Sequence, residues 1–204
     1  MIRPLVLAAL AFFAVASAPA AHAGVEIGKP APDFTGTDTH GKTQKLSDYK
    51  GKTVVLEWSN PGCPFVHKHY DSGNMQKLQT EYTGKGIVWL TIVSSGDGEQ
   101  GFMSPEDSNA YMEKEKSTPS ARILDPSGEI GHLYGAKTTP NMFIINPEGT
   151  LVYEGAIDDN DSANPDDAAT AHNYVAAALD ALIAGKPVET AQTKPYGCSV
   201  KYKS

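Results

Sequence analysis

The residues best suited to chemistry in this chain lie in the stretch Trp58-Ser-Asn-Pro-Gly-Cys-Pro-Phe-Val-His-Lys-His-Tyr70. Cys63 follows the turn residues Asn60-Pro-Gly62 and precedes Pro64, which suits the first position of a helix because its missing N–H would have no helical partner. A thiol at a helix start lies among free backbone N–H groups at the positive end of the helix dipole, and both favour the thiolate. The pattern predicts that Cys63 attacks a disulfide or a peroxide. The alternative is an inert buried cysteine or half of a structural bridge.

Cys198 is the second of the two cysteines, so one intramolecular pairing is possible. As a resolving thiol, Cys198 would attack a sulfenic acid or mixed disulfide on Cys63 and leave a Cys63–Cys198 disulfide. Two alternatives stay open, a structural clip that pins the tail and a free thiol.

Two histidines follow the reactive turn. His67 stands one helical turn after Cys63, where an imidazolium would lower the thiol pKa and a neutral ring could take its proton. His69 points elsewhere on the helix, and the favoured interpretation is that both histidines are exposed. Cys63, His67 and His69 are also possible ligands for copper or zinc. The second hypothesis is therefore a non-enzymatic binding or metal-handling module with a structural disulfide; the first requires no metal or cofactor.

The elements that must position Cys63 are visible on both sides of it. Residues 53–58 are apolar and partly β-branched, which predicts a buried strand, and residues 64–82 have an imperfect helical spacing that 71–74 weakens. Residues 87–93 are apolar nearly throughout, which predicts a central strand. Trp58 and Asn60 are expected to shape the site between these elements.

The remaining elements alternate along one domain. Further strands are predicted at 121–124, 141–145 and 151–155, and helices at 105–116, 129–134 and 165–184. The acidic residues from Asp158 to Asp167 are expected to form a solvated helix entry. A calcium loop is disfavoured there because its glycine and distal glutamate are missing.

Composition and the N-terminus restrict the location and the partners. A charged start, an apolar run from Leu5 to Ala18 and Ala21-His-Ala23 predict a signal peptide over residues 1–23, and hence a periplasmic or secreted protein. Loss of Arg3 changes the net charge from −7 to −8. That charge argues against nucleic acid and anionic membranes as partners. No other segment has the length to span a membrane.

The order of these parts resembles the thioredoxin superfamily over residues 25–185. Thr138-Thr139-Pro140, before the closing hairpin, is similar to its cis-proline segment, which lies beside the reactive cysteine. Pro30-Ala-Pro-Asp-Phe34, Gly62-Cys-Pro-Phe-Val66 and the tail Gly197-Cys-Ser-Val-Lys-Tyr202 resemble the redoxin and peroxiredoxin branch, the alkyl hydroperoxide reductase/thiol-specific antioxidant type.

The resemblance implies an α/β, three-layer, thioredoxin-like fold with a central mixed sheet flanked by helices and an N-terminal hairpin extension. The redoxin domain would span 24–187, and a tail over 188–204 would carry Cys198. Implied partners are a protein disulfide or peroxide and an external thiol reductant. Thr139 and Pro140 would shape the substrate contact.

Two motifs of the superfamily are absent. A Cys-x-x-Cys pair is missing because Asn60 and Val66 stand three residues from Cys63 on either side. A peroxidatic Pro-x-x-x-Thr/Ser-x-x-Cys is missing because Leu56 and Asn60 occupy its first and fifth positions. Completion of a redox cycle within the chain therefore depends on Cys198.

Overall fold

The computed structural model describes residues 24–204, and the predicted signal peptide, residues 1–23, lies outside the described residues. The strands are β1 (Thr35–Asp38), β2 (Thr43–Lys45), β3 (Val54–Trp58), β4 (Val88–Val93), β5 (Ala121–Leu124), β6 (Thr138–Thr139), β7 (Asn141–Ile145), β8 (Leu151–Gly155) and β9 (Cys198–Ser199). The helices are α1 (Pro64–Asp71), α2 (Asn74–Gly84), α3 (Pro105–Lys114), α4 (Glu129–Tyr134) and α5 (Tyr174–Ile183).

Seven strands form one mixed sheet in the order β2-β1-β5-β4-β3-β7-β8. β3, β4 and β5 run parallel, whereas β7 and β8 close the sheet as an antiparallel hairpin. The predicted N-terminal hairpin, β1–β2, extends the sheet at its other edge through β5. β3 is thus central, and its carboxyl end, where Cys63 follows, is flanked on both sides.

Alternation along the central strands produces two core layers. Val55, Trp89 and Ile144 face the layer under α1, α2 and α5, whereas Leu56, Leu90 and Phe143 face the layer under α4. Period-two alternation sends successive side chains to opposite faces of a sheet. Because both faces of the sheet are covered, the sequences of these strands are continuous runs of apolar residues. The predicted three-layer α/β fold is confirmed.

Two predicted helices differ from the structure. Residues 64–82 form two helices, α1 and α2, because Gly73 adopts a left-handed conformation with φ 75°. The interruption lies in the segment whose composition weakens the predicted helix. Residues 165–184 are not one helix: Pro165–Ala169 is a 3-10 turn, and α5 starts only after Asn173, whose side chain accepts a hydrogen bond from the Ala176 N–H.

The tail folds back onto the domain. β9 pairs antiparallel with β6, so that Cys198 stands opposite Thr139. Beyond it, Val200 is buried in the core and its N–H donates to the Lys137 carbonyl at 3.1 Å. Within residues 24–204, no helix combines the length and apolar character needed to cross a membrane.

Candidate active site

Cys63 is the N-cap residue of α1, directly after the turn that ends β3. Its backbone is extended, with φ −93° and ψ 122°, and Pro64 occupies the first helical turn. The Cys63 carbonyl accepts hydrogen bonds from the N–H groups of Val66 and His67, both at 3.0 Å. The helix start is therefore well formed, and the Cys63 side chain is fully buried beneath its surroundings.

Asn60 fixes the turn before Cys63. Its side-chain oxygen accepts from the Gly62 N–H at 2.8 Å, and its amide nitrogen donates to the Gln100 carbonyl at 3.0 Å. Gln100 in turn donates from its side chain to the Gly62 carbonyl at 3.0 Å. A Cβ on Gly101 would lie 2.3 Å from the Asn60 side-chain oxygen, so only glycine permits this approach. The glycine-rich loop after β4, residues 94–103, thus stabilises the reactive turn.

Trp58 ends β3 and is fully buried, but its side chain belongs to the core layer on the opposite face of the sheet from Cys63. The indole Nε1 donates to the Ser94 hydroxyl at 3.1 Å, and that hydroxyl donates to Asp125 at 2.6 Å. Trp58 therefore acts on the site indirectly, from the opposite face of the sheet, because its contacts fix the carboxyl end of the central strands.

The Thr139–Pro140 peptide bond is cis, as the resemblance implies. The Thr139 carbonyl lies 3.0 Å from the Cys63 Sγ, which donates to it as a thiol. The Thr139 hydroxyl is buried and has no hydrogen-bond partner within residues 24–204. Thr139 and Pro140 therefore lie directly at Cys63.

Cys198 reaches the same point through the β6–β9 pairing, opposite Thr139. Neither cysteine is in a disulfide in this structure, and Cys198 is half-buried whereas Cys63 is fully buried. Gly197 makes the approach possible: its φ is +129°, and a Cβ there would lie 2.2 Å from the Thr139 carbonyl oxygen. The need for glycine at position 197 is not readable from the sequence, because it depends on a contact with residue 139.

The two thiols differ in acidity. Burial tends to raise the pKa of Cys63, but hydrogen bonds from the Cys198 side chain and from backbone groups prevail and lower the pKa. Burial raises the pKa of Cys198 to about 11, and its interaction with Cys63 adds to that rise. Ionisation at this pair is therefore favoured at Cys63.

The histidines do not surround Cys63 as a ligand set. His67 is about one-third exposed and lies 3.7 Å from the Asp71 carboxylate. His69, expected to be exposed, is fully buried: its Nδ1 accepts from Asn74 at 2.9 Å and its Nε2 donates to the Tyr196 hydroxyl at 3.0 Å. Both ring nitrogens of His69 are thus engaged, and neither is free to bind a metal.

A buried polar cluster beside the site was missed by the sequence patterns. Lys68 is fully buried, and its ammonium lies 3.2 Å from the Asp158 carboxylate and 3.3 Å from the Tyr196 hydroxyl, which donates to Asp158. The expectation that Asp158 begins a solvated entry is wrong, because this side chain is 2 % exposed. A lysine 90 residues away in sequence supplies the opposite charge that allows its burial.

Glu57, in the middle of the apolar strand β3, is a second buried group that the strand pattern conceals. Its carboxylate accepts from Tyr70 at 2.9 Å, Trp89 at 2.8 Å and Thr91 at 3.0 Å. Burial raises the pKa of Glu57 against these hydrogen bonds. The charged residue within an apolar run is the signal that could have identified it.

A family of known proteins matches the part of the chain that carries this site. The family model described as AhpC/TSA family matches residues 27–154, which include β3, the cysteine turn and the cis-proline. The chain belongs to the AhpC/TSA family. It is a thiol-dependent oxidoreductase of the redoxin, peroxiredoxin-like branch of the thioredoxin superfamily.

Individual proteins of similar sequence or structure are consistent with this family assignment. The thiol-disulfide oxidoreductase ResA of Bacillus thuringiensis subsp. konkukian is 31% identical over 130 residues, which cover 64% of this chain and 69% of the relative. An uncharacterized conserved protein from Geobacillus kaustophilus has a similar structure, with a TM-score of 0.75, 31% identity, and coverage of 87% of this chain and 93% of that one. The thioredoxin domain of a thiol-disulfide oxidoreductase from Bacteroides vulgatus aligns with a TM-score of 0.51 at 25% identity, covering 64% of this chain and 89% of that domain.

Proposed function

We propose that this protein is an exported thiol–disulfide oxidoreductase in which Cys63 attacks a protein disulfide and Cys198 resolves the mixed disulfide. The observation that carries the proposal is the pairing of β9 with β6, which holds Cys198 opposite Thr139 while the Cys63 thiol donates to the Thr139 carbonyl. Two cysteines beside one residue, with thiols of unequal acidity, suit sequential attack and resolution.

The reaction consists of two thiol–disulfide exchanges. The Cys63 thiolate attacks one sulfur of the substrate disulfide; a Cys63–substrate bond forms, the substrate disulfide breaks, and the departing thiolate takes a proton. The Cys198 thiolate then attacks the Cys63 sulfur, which forms the Cys63–Cys198 disulfide and releases the second substrate thiolate. The substrate gains two electrons and the protein loses two, which an external thiol reductant restores.

The surroundings of Cys63 support its role as the attacking thiol. Its pKa is lowered, whereas that of Cys198 is about 11, so the thiolate forms preferentially at Cys63. Because Cys63 is fully buried, the half-buried tail must move aside before a protein disulfide can reach it. The tail then returns with Cys198 for the second step.

Export to the periplasm or the exterior completes the proposal, with residues 1–23 as a signal peptide, 24–187 as the redoxin domain and 188–204 as the tail. An oxidising compartment is where protein disulfides persist as substrates. N-terminal sequencing of the protein recovered from the periplasm should start at Gly24. A cytoplasmic protein that starts at Met1 would contradict export.

The test of the two cysteine roles uses the purified protein without its signal peptide and a labelled peptide that contains one disulfide. Cys63→Ser should neither form a mixed disulfide nor turn over. Cys198→Ser should accumulate the Cys63–peptide mixed disulfide, identified by mass spectrometry after acid quenching. Unimpaired turnover of Cys63→Ser would refute the first role, and unimpaired turnover of Cys198→Ser, with no trapped adduct, would refute the second.

Hydrogen peroxide is a second candidate substrate, which family membership favours. The unpartnered, buried Thr139 hydroxyl beside Cys63 is a possible donor to a bound peroxide oxygen. Sulfenic acid on Cys63 of the Cys198→Ser variant, trapped with dimedone after peroxide addition, would identify this reaction. A rate no higher than that of a free cysteine would exclude it as the function.

A further inference from the structure

Lys68, His69, Asp158 and Tyr196 form a closed polar cluster that we term the tail anchor. The Lys68 ammonium contacts the Asp158 carboxylate at 3.2 Å and donates to the Tyr196 hydroxyl at 3.3 Å and to the Asn160 carbonyl. The His69 Nε2 donates to the same hydroxyl at 3.0 Å, and that hydroxyl donates to Asp158. Three side chains therefore converge on one hydroxyl of the tail.

The tail anchor joins the structures that carry the two cysteines. Lys68 and His69 lie in α1, the helix that starts after Cys63, whereas Tyr196 precedes Cys198 by two residues. Asp158 comes from the segment that follows β8, so it stays in place if the tail moves. The α1 side of the anchor is fully buried, while Tyr196 itself is half-buried.

The connection between the anchor and Cys198 is short and directed. Two residues span at most about 7 Å even when fully extended, so the position of Tyr196 limits where Cys198 can lie. Gly197 adds direction, because its backbone packs against the Thr139 carbonyl oxygen with φ +129°. Fixing the Tyr196 ring therefore fixes the approach of the Cys198 sulfur to Cys63.

The anchor binds the tail mainly through a polar contact. The Tyr196 ring packs on Phe65 with centroids 5.9 Å apart, and Lys68 lies 5.2 Å from its centre. The hydroxyl supplies the further bonds to Asp158, Lys68 and His69. Burial of these groups is tolerated because the positive Lys68 and the negative Asp158 neutralise each other and the two neutral rings are hydrogen-bonded. Hydrogen bonds that involve charged groups are stronger than neutral ones, so the loss of the hydroxyl should loosen the tail specifically.

We propose that Tyr196 is a positioning residue for the resolving step: its hydroxyl, held by Lys68, His69 and Asp158, sets the effective concentration of Cys198 at Cys63. The proposal rests on the proposed function, in which Cys198 displaces the substrate thiol from Cys63. An intramolecular thiol attacks at a rate set by how often it occupies the reactive geometry. Tyr196 itself contacts neither reacting sulfur, and it acts through the tail.

The test measures the two exchange steps separately in Tyr196→Phe. Reduced protein is mixed with the labelled disulfide peptide and quenched with acid at intervals, and mass spectrometry quantifies the Cys63 mixed disulfide and the Cys63–Cys198 disulfide. Attack by Cys63 should be slowed less than twofold. Closure by Cys198 should slow about tenfold, as expected for loss of a hydrogen bond to charged partners. The equilibrium constant for closure against a glutathione buffer should fall by the same factor.

Tyr82→Phe is the matched control, since its hydroxyl also donates to an aspartate, Asp180 in α5, at 3.0 Å. It should lower the melting temperature comparably and leave closure unchanged. His69→Gln keeps an N–H donor for the Tyr196 hydroxyl and should retain most of the closure rate, whereas His69→Leu should not. These variants provide the measurement if Tyr196→Phe is too unstable to isolate.

The outcomes distinguish failure of this proposal from failure of the proposed function. If Cys198→Ser releases the peptide as fast as the unmodified protein, Cys198 does not resolve and the proposed function is wrong. If Cys198→Ser traps the adduct but Tyr196→Phe closes as fast as Tyr82→Phe, the function stands and the positioning role is wrong. Equal slowing in Tyr82→Phe and Tyr196→Phe would also overturn it, because the effect would then follow stability alone.

Discussion

Cys63 and Cys198 both lie beside Thr139, but they are held there by two different kinds of structure. Cys63 is carried by a central strand, a braced turn and a helix, with core on both faces of the sheet. Cys198 is carried by a two-residue strand and by contacts of a few side chains of the tail. The first arrangement has extensive core and backbone support, whereas the second has little, as the proposed movement of Cys198 requires.

Their chemical environments differ in the same sense. The fixed Cys63 is fully buried and its pKa is lowered, whereas the half-buried Cys198 has a pKa of about 11. The groups that lower the pKa of Cys63 include backbone at the helix start and, foremost, Cys198 in the tail. The tail thiol therefore favours ionisation of Cys63 while the tail is in place, and its own reactivity must come from proximity.

The largest effect should follow when the cluster shared by both regions is broken. Asp158→Asn leaves the buried Lys68 ammonium without its counter-charge, and loss of one partner of a buried ion pair costs about 3–5 kcal/mol. Urea denaturation of the reduced protein measures this change in the free energy of unfolding. Glu81→Gln, which breaks the exposed Lys85–Glu81 pair of 2.8 Å, is the control and should change stability little. Similar losses of unfolding free energy in both variants would show that the buried cluster stabilises the protein no more than an exposed ion pair does.

Acid should weaken the same cluster from the α1 side. Burial lowers the pKa of His69 to about 4, from 6.5 in the unfolded chain, although Asp158 opposes the shift and Lys68 adds to it. Above pH 6.5 the ring is neutral in both states and the native contacts with Tyr196 and Asn74 contribute in full. Between pH 6.5 and 4 only the unfolded chain binds the proton, so the free energy of unfolding falls, by on the order of 3 kcal/mol.

Urea denaturation at pH 7.5, 5.5 and 4.5 checks this window by comparison with His69→Gln. The variant should lose less stability over the range, because it lacks the titrating ring. Parallel pH profiles for the two proteins would show that His69 does not titrate with the shifted pKa.

A change confined to the tail should affect the burial of Cys63 more than global stability. Gly197→Ala places a Cβ 2.2 Å from the Thr139 carbonyl at φ +129°, a conformation that costs non-glycine residues about 1–3 kcal/mol. The tail should detach more often, and alkylation of Cys63 by iodoacetamide should accelerate about tenfold. Gly185→Ala, also at positive φ but with open space around it, is the control. An unchanged alkylation rate in Gly197→Ala would show that the tail does not cover Cys63.

The smallest effect should come from the far end of the tail. The Tyr202 hydroxyl donates to the Ala136 carbonyl at 2.7 Å, and Tyr202→Phe should cost about 1 kcal/mol, typical of one neutral hydrogen bond. The same alkylation assay should show an acceleration well below that of Gly197→Ala. An acceleration as large as that of Gly197→Ala would show that Tyr202, rather than Tyr196 and Gly197, is the main attachment of the tail.

Sequence patterns were sufficient for the region around Cys63 because the signals there are local. Gly62 and Pro64 bracket the cysteine, the strands are continuous apolar runs, and the closing hairpin has its turn at Asn146–Gly149. Each of these features follows from residues within a few positions of one another. The fold class was therefore predictable, although the roles of Cys63 and Cys198 stay predictions.

The tail could not be derived in this way because its contacts are distant in sequence. Tyr196 meets Lys68 across 128 positions, and Gly197 meets Thr139 although two strands and a helix separate them in sequence. His69 and Asp158 look like surface residues by type, and only their mutual contacts explain their burial. Similarly, α5 begins at Tyr174 because Asn173 caps it, although Asn164 offers an equally good cap earlier in the chain.

The β6–β9 pairing has a further consequence, which concerns chain entropy. A bond between Cys63 and Cys198 would close a loop of about 135 residues in the unfolded chain, and loop closure of that size removes entropy worth about 5 kcal/mol. Because the pairing already places Cys198 beside Cys63 in the folded state, closure requires little rearrangement there. Oxidised protein should therefore resist heat and proteolysis better than reduced protein, so that under the proposed mechanism each catalytic cycle alternates between a more stable and a less stable form of the same fold.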